Sequence, residues 1–400
     1  MARARRGGLL VGPQKLTEVE VLVVGGGPAG SALALELQRR GREVLLVDAG
    51  ASRRKICGEG ILPLGWAVLE SLGVSRHICR YSPIEELCYQ MPSSDGRRID
   101  QLRAALSLPS RGVARESLSQ ALEESLNESG VSVWRGTRFR ALTLEPNGVR
   151  VRLEGESQGE VHCRLLVGAD GLRSRVREQA GLTSLRPRRF SRWGARMYFR
   201  DETVRNAVTV TLGEGIETYL TPLGDGLNGL AFLWSPELLG RPPAGQGAVW
   251  QRLLASFPPC YRDQFPPSEA FFGPEKAIGP LQQLVTSPLH PSGRVALVGD
   301  ASGYLDALTG EGLCLGLVQA MALAELYVGG RVEQYPARYR ALKRRHSLTV
   351  HGLLRLLERP RLKRFVFSTL CRFPPLFQLL ISGAVEGSAR AEIRSLRQHL

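Results

Sequence analysis

Short, unbroken apolar runs mark several points along the chain. Residues 21–24 (Val-Leu-Val-Val), 44–47 (Val-Leu-Leu-Val), 165–167 (Leu-Leu-Val) and 295–298 (Val-Ala-Leu-Val) are too short for helices and do not alternate. That pattern suits strands of a parallel sheet covered on both faces. Between the first two runs, residues 31–40 read as a helix, with Gly41 after it as a cap. Residues 65–72 and 111–130 also read as helices, the latter with Leu118, Leu122 and Leu126 on one face. Alternation replaces the continuous runs at 131–133, 141–144 and 149–153, which predicts exposed-face strands.

A second texture occupies 81–106 and 190–284. Strand-like stretches such as 207–212, 217–220 and 229–234 lie between Gly/Pro turns, and four of the five tryptophans fall between 134 and 250. This predicts an antiparallel sheet with a helix of its own at 247–257, forming a domain that covers a substrate. A long apolar helix is expected at 313–326, and residues from 335 onward are expected to be helical.

Three glycine-rich loops follow the apolar runs. In the first, Gly25, Gly27 and Gly30 have the G-x-G-x-x-G spacing, between a strand and a helix. The first glycine allows a sharp turn, the second lets backbone approach a pyrophosphate, and the third lets the helix pack closely. The helix start then presents amides and a positive dipole end to phosphate. Asp48, at the end of the second strand, is placed for ribose hydroxyls. The second loop is Gly168-Ala-Asp170-Gly, followed by a helix from about Ser174 that carries Arg173, Arg175 and Arg177. In the third, Gly299-Asp300 leads through Thr309-Gly310-Glu311-Gly312 into a helix. Asp300 can accept sugar or ribitol hydroxyls, and the amides at Gly310 to Leu313 can stabilise negative charge on a ring. Arg115, at a helix start, is in reach of cofactor phosphates or is a solvated helix arginine.

Composition narrows the class. The chain has 400 residues and is 43% hydrophobic, enough for one or two domains with a large core. Seven scattered cysteines, never spaced C-x-x-C, argue against a disulfide framework or a zinc site and suit a reducing cytoplasm. No metal site is expected. Net charge is +15, yet fourteen Lys/Arg against three Glu lie beyond residue 335, so the body is only mildly basic. No nucleic-acid motif accompanies the charge. Residues 1–18 read as a disordered tail, and no apolar run nears the roughly 18 residues of a membrane span. Residues 346–385 mix apolar and basic side chains. They read as a helix pair packed on the body with a basic outer face, or as a membrane-surface or substrate-channel element.

Taken together, Gly25-x-Gly27-x-x-Gly30, Gly168-Ala-Asp-Gly-Leu-Arg-Ser-Arg-Val-Arg177 and Gly299-Asp300-Ala with Thr309-Gly-Glu-Gly312 resemble the FAD-dependent class A monooxygenases. These are the para-hydroxybenzoate hydroxylase-like flavoproteins, and the resemblance covers nearly the whole chain. Geranylgeranyl reductases and flavin halogenases are similar in the same regions. The stretch Lys55-Ile-Cys57-Gly-Glu59-Gly60 resembles a segment of the reductases, and the W-x-W-x-I-P stretch of many halogenases is absent. The resemblance implies an α/β fold with a Rossmann-like, glutathione-reductase-like FAD-binding domain, an inserted antiparallel substrate domain and a C-terminal helical segment. The expected boundaries are 1–18 for the tail; 19–80, 107–189 and 285–335 for the FAD-binding domain; 81–106 and 190–284 for the substrate domain; and 336–400 for the helical segment. It also implies that Gly25, Gly27, Pro28, Ala29 and Gly30 hold the FAD pyrophosphate, and that Asp48 holds the adenosine ribose, where most such proteins carry Glu. Arg115 matches a phosphate-contacting arginine, and Asp170 a loop linked to FAD and pyridine nucleotide. Asp300 matches a ribitol ligand, and Gly312 with Leu313 the isoalloxazine contact.

The activity implied is an NAD(P)H- and O2-dependent monooxygenase that hydroxylates or epoxidises a largely apolar aromatic, polyketide-like or prenylated molecule in secondary metabolism. The alternative is an FAD-dependent reductase of prenyl double bonds. Below these stand a halogenase and a non-enzymatic flavin-binding protein. A cytoplasmic place is expected, with peripheral membrane contact through the C-terminal segment as an option. No residue is assigned as catalytic acid or base: no histidine lies in the recognised stretches, and Glu59 and Glu311 are unassigned.

Overall fold

A computed structural model describes residues 17–50, 59–183, 192–240, 249–273, 277–279, 281–283, 285–306, 310–387, 389 and 393. Residues 1–16 of the expected tail, Lys55, Cys57 and Thr309 lie outside the described residues. The strands in chain order are β1 (Thr17–Val24), β2 (Val44–Val47), β3 (Gly60–Ile61), β4 (Ser82–Pro92), β5 (Ile99–Gly112), β6 (Ser132–Trp134) and β7 (Thr137–Glu145). Next come β8 (Gly148–Gly155), β9 (Gly159–Gly168), β10 (Trp193–Arg200), β11 (Ala207–Leu212), β12 (Ile216–Gly224), β13 (Leu227–Trp234) and β14 (Val295–Leu297). The helices used below are α1 (Pro28–Arg39), α2 (Pro63–Ser71), α3 (Arg115–Ser129), α4 (Arg175–Gln179) and α5 (Val249–Ala255). They continue with α6 (Gly312–Val328), α7 (Tyr335–Leu357), α8 (Pro360–Arg372) and α9 (Pro374–Ile381).

The first sheet has the order β6-β2-β1-β9-β8-β7, with β14 on β9. β1 lies between β2 and β9 and runs parallel to both, with Val21 opposite Val44 on one side and Leu165 on the other. The unbroken apolar runs fall here because both faces are covered. On one face α1, α3 and α6 bury Leu33, Leu37, Leu118, Leu122, Leu317 and Leu323. On the other, Leu22, Leu45 and Leu166 meet Val149, Val151 and Val176. Each fully buried leucine contributes about 1.5–3 kcal/mol. The expected helix at 31–40 begins earlier, at Pro28, because proline fits the first helical position, where no N–H bond is lost.

The second sheet has the order β10-β13-β12-β11-β4-β5-β3. Its neighbours are antiparallel except β11 and β4, which run parallel. That seam joins an early hairpin, β4–β5, to strands more than a hundred residues later, so no hairpin fixes its direction. β5 runs on to Gly112, past the expected break at 106, and the expected helix at 111–130 starts only at Arg115. The outer face of this sheet buries Phe199, Phe232, Trp234 and Trp250, with α5 laid across it, which accounts for the tryptophan-rich middle of the chain. Its inner face carries Val210, Tyr219, Ala231 and Leu233.

Candidate functional site

The glycine turn is built by contact between backbones. Gly25 has φ +112°, and its N–H donates to Val47 O at 2.8 Å. A Cβ there would stand 2.5 Å from Ala169 O and 2.9 Å from Asp170 N, so the first and second loops touch at this residue. A Cβ on Gly30 would overlap the Gly25 carbonyl oxygen and reach Ala169 Cβ at 3.0 Å. Gly27 is different: nothing lies within 4 Å of its Cβ position. It is the N-cap of α1, and no side chain caps that helix start. Asp48 fastens the turn, its Oδ2 accepting the Gly26 N–H and its Oδ1 the Gly50 N–H, each at 2.6 Å. Gly26 was not among the expected site residues, yet a Cβ on it would sit 2.8 Å from Asp48 Oδ2. Its place in the Gly25-Gly26-Gly27 run was the available signal.

The third loop arrives from the opposite side. Gly299 (φ +61°) places its own Cβ position 3.0 Å from Ala29 Cβ. A Cβ on Gly316 of α6 would meet Gly299 Cα at 3.3 Å and Ala29 Cβ at 3.4 Å. Gln319 locks this junction, accepting the Gly299 N–H at 2.9 Å and the Ser302 hydroxyl at 3.0 Å. Pro28 and Ala29 thus start α1 between the second and third loops. Asp300 is half-buried and shares a cleft with Tyr304, Asp306, Gly312, Lys343 and His346. Gly310 (φ +65°) is exposed, while Gly312 and Leu313 open α6, also without a side-chain cap.

Asp170 caps α4, its Oδ2 accepting from Arg175 N at 2.8 Å and Val176 N at 3.2 Å. Its Oδ1 is buried and accepts no bond among the described residues, and burial raises its carboxyl pKa. Arg115 is nearly buried at the start of α3, and its Nε likewise has no partner among the described residues. Its backbone is tied to Glu59 rather than to the glycine turn, the Glu59 Oε1 accepting the Arg115 N–H at 2.5 Å.

Glu59 is the residue that sequence reasoning undervalued. It sits at φ +60°, a conformation glycine favours, with a side chain 1% exposed. Its Oε1 also accepts from Tyr198 Oη at 2.8 Å and pairs with Arg196 Nη1 at 3.1 Å, both on β10. Burial pushes its carboxyl up, against the lowering effect of Arg196 and of the hydrogen bonds from Arg115 and Tyr198. It therefore ties the segment leading into β3 to α3 and to the second sheet. Its glycine neighbours in Gly58-Glu59-Gly60 were the only sign in the sequence.

The second sheet closes over these loops. Tyr219 packs with Leu172 of the second loop, and Tyr89 and Tyr304 pack against the same cluster. Burial pushes Tyr89 up to about 12 and Tyr219 well above its ordinary value, so both are neutral phenols. Behind them Arg192 is buried between Asp306, which accepts from its Nε at 2.9 Å, and Glu217. Burial raises the Glu217 carboxyl despite the neighbouring guanidinium. From the far side α7 seals the cleft. Tyr335 Oη donates to Leu297 O at 3.0 Å, Tyr339 to Ser302 O, and Lys343 Nζ to Gly303 O at 3.2 Å. His346 Nδ1 lies 2.5 Å from Glu311 Oε2 at the start of α6. The spacing of Tyr335, Tyr339, Lys343 and His346 on one helix face was the legible signal.

Two uncapped helix starts, an open Gly27, and buried unpartnered atoms on Asp170 and Arg115 suit a long ligand bearing phosphates and hydroxyls. A sequence profile for a family described as FAD binding domain matches residues 18–220. The chain belongs to this FAD-binding family. FAD is its cofactor, and it is an FAD-dependent oxidoreductase of the type that includes monooxygenases and reductases. It is 28% identical to menaquinone reductase of Mycobacterium tuberculosis over 77% of this chain and 76% of that protein. It is 35% identical to 6-methylpretetramide 4-monooxygenase of Streptomyces rimosus, over 42% of each chain. Its fold matches p-nitrophenol 4-monooxygenase PnpA from Pseudomonas putida, with a TM-score of 0.73 at 18% identity, covering 96% of this chain and 98% of that one.

Proposed function

We propose that the protein is an NAD(P)H-dependent monooxygenase that places one oxygen atom on a largely apolar aromatic, polyketide-like or prenylated molecule. The observation that carries this reading is the cluster on the inner face of the second sheet, where Tyr89, Val210 and Tyr219 pack with Leu281 and with Tyr304, which itself lines the cleft of Asp300 and Gly312. A wall of neutral aromatic and apolar groups suits a flat apolar substrate and keeps water from the reacting centre. The 6-methylpretetramide 4-monooxygenase likeness supports the same chemistry.

In this reading, Gly25, Gly27, Pro28, Ala29 and Gly30 surround the FAD pyrophosphate, and Asp48 the adenosine ribose. Arg115 contacts a phosphate, Asp170 sits in the loop linked to FAD and pyridine nucleotide, Asp300 meets the ribitol, and Gly310, Gly312 and Leu313 meet the ring. The first sheet with α1–α4 and α6 is then the FAD-binding domain, and the second sheet the substrate domain. When bound, FAD would carry two electrons from NAD(P)H to O2, so that one oxygen atom goes to the substrate and the other leaves as water. The chain's own groups bind, orient and exclude water: the α6 amides stabilise negative charge at the ring, and His346 holds Glu311 beside that helix start.

The second reading, reduction of a prenyl double bond, is favoured by the menaquinone reductase likeness, which spans far more of the chain than the monooxygenase likeness. Either substrate class is membrane-soluble, so we place the protein in the cytoplasm with access to a lipid surface. The test is to supply FAD-loaded protein with NADH or NADPH and a panel of apolar aromatic and prenylated compounds, then weigh the products. Gain of an oxygen atom supports the monooxygenase. Gain of hydrogens alone overturns it in favour of the reductase, and FAD binding without NAD(P)H consumption overturns both.

A further inference from the structure

The outer faces of α8 and α9 form an apolar wedge with a basic rim. The two helices meet at a break bent by 106°, at Phe373-Pro374. Inward, Phe367 and Phe377 are buried against Met91, Leu102 and Ala104 of the second sheet. Outward, Phe365 is 67% exposed, Phe373 60% and Leu379 69%, with Leu362, Leu376 and Leu380 also exposed. Leu376, Leu379 and Leu380 share one exposed face of α9, which is therefore apolar. Arg359 and Arg361 are exposed at the start of α8, and Arg372 at its end beside the break. From 336 to 387 the acidic residues are Glu358 and Glu386, and Glu386 is buried, accepting from Ser107 N at 2.5 Å and Leu108 N at 2.9 Å.

We infer that this wedge docks on a bilayer surface carrying anionic phospholipid, lying in the headgroup region rather than crossing it. The inference rests on the reading of an apolar, membrane-soluble substrate and adds the surface that reaches it. α8 has 13 residues, about 20 Å of helix, against a hydrocarbon core of about 30 Å. Aromatic and leucine side chains beside exposed arginines are the mark of a helix in the interface plane. Charge selects the occupant. A second copy seated on this face would set Arg361 and Arg372 of both copies against each other, whereas lipid phosphates neutralise them. The wedge also joins the site through packed apolar groups. Phe377 contacts Tyr89 ring to ring at 5.7 Å. Tyr89 packs in the cluster that includes Tyr304, and Tyr304 Cε2 is 3.4 Å from the Gly312 Cβ position.

The experiment is flotation of the FAD-loaded full chain with phosphatidylcholine vesicles, with and without phosphatidylglycerol, in the absence of substrate or reductant. Binding to the anionic vesicles is expected, falling roughly tenfold when Leu376→Ser, Leu379→Ser and Leu380→Ser are combined, and similarly for Arg359→Gln with Arg361→Gln and Arg372→Gln. Flavin absorbance checks that each variant is folded. Should either combined variant lose FAD, Phe373→Trp alone reads insertion: its emission, taken as the difference from wild type, is expected to shift to the blue on anionic vesicles. Wild-type protein that stays unbound, a Phe373→Trp difference emission that does not shift, or a dimer in sedimentation that the leucine variant dissolves, each overturns the proposal. None of these readouts involves turnover, so failure of docking is distinct from failure of the oxygenation reading.

Discussion

Two glycines in one turn, Gly27 and Gly30, make opposite predictions. In Gly30→Ala the new methyl overlaps the Gly25 carbonyl oxygen and comes within 3.2 Å of Gly25 C and 3.0 Å of Ala169 Cβ. Backbone cannot rotate away as a side chain can, so α1 must move off the sheet. Over-packing costs about 1–3 kcal/mol, and rigid neighbours put this case near 3, roughly a hundredfold in the folded-to-unfolded ratio. Gly27→Ala meets nothing within 4 Å, and its φ of −72° with ψ 176° is open to any residue. Its stability changes by no more than about 0.5 kcal/mol. The same methyl nevertheless fills the space over the α1 amides where phosphate must approach, so FAD affinity falls about tenfold or more, about 1.4 kcal/mol. Denaturant unfolding of FAD-free protein and a fluorescence titration with FAD measure the two effects separately. A Gly27→Ala protein that binds FAD as tightly as wild type, or unfolds as readily as Gly30→Ala, would refute the reasoning.

Other outcomes follow from single groups. Asp48→Ala removes the acceptor of two amide bonds, and should cost about 2 kcal/mol in unfolding and weaken FAD binding with it. Arg192→Met leaves Glu217 and Asp306 buried without their guanidinium, a loss of about 3–5 kcal/mol at neutral pH. Burial already raises Glu217 above its ordinary value, so its contribution to stability is full at low pH and is lost as pH rises through the folded-state value. The deficit of Arg192→Met, followed by denaturant midpoints across pH, should therefore shrink on acidification; a deficit that grows would contradict the assignment. His346→Gln loosens the start of α6 and should weaken FAD binding by about 1 kcal/mol, checked by titration, with little change in the unfolding midpoint.

The parts of the fold written in local pattern were legible. Val21–Val24 and Val44–Val47 read as buried parallel strands because an unbroken apolar run has few other uses, and the glycines at 25, 27 and 30 fix a turn by sterics alone. The second sheet was visible as alternation, but its parallel β11–β4 seam was not, since no local residue pattern specifies pairing between strands so far apart. The same distance hid the Arg192–Glu217–Asp306 cluster, whose members are 25 and 114 residues apart. Glu59 looked like a loop acid. Only its burial beneath β10, with Arg196 and Tyr198 converging on it, separates it from an ordinary surface glutamate. The C-terminal segment was read as a helix pair packed on the body with a basic outer face, or as a membrane-surface or substrate-channel element. The helices do pack on β5; the exposed face of α9 is apolar, and that of α8 carries Leu362 and Phe365 between Arg361 and Arg372.

The central claim is that three loops far apart in sequence hold one FAD whose reactive ring lies under the second sheet. A structure of the full chain with FAD bound tests it most directly. The account predicts the pyrophosphate at Gly27 and the α1 amides, the ribitol at Asp300, and the ring against Gly312 and Leu313 beneath Tyr219. A cofactor whose ring points away from Gly312, or whose phosphates lie elsewhere than the α1 N-terminus, would contradict it.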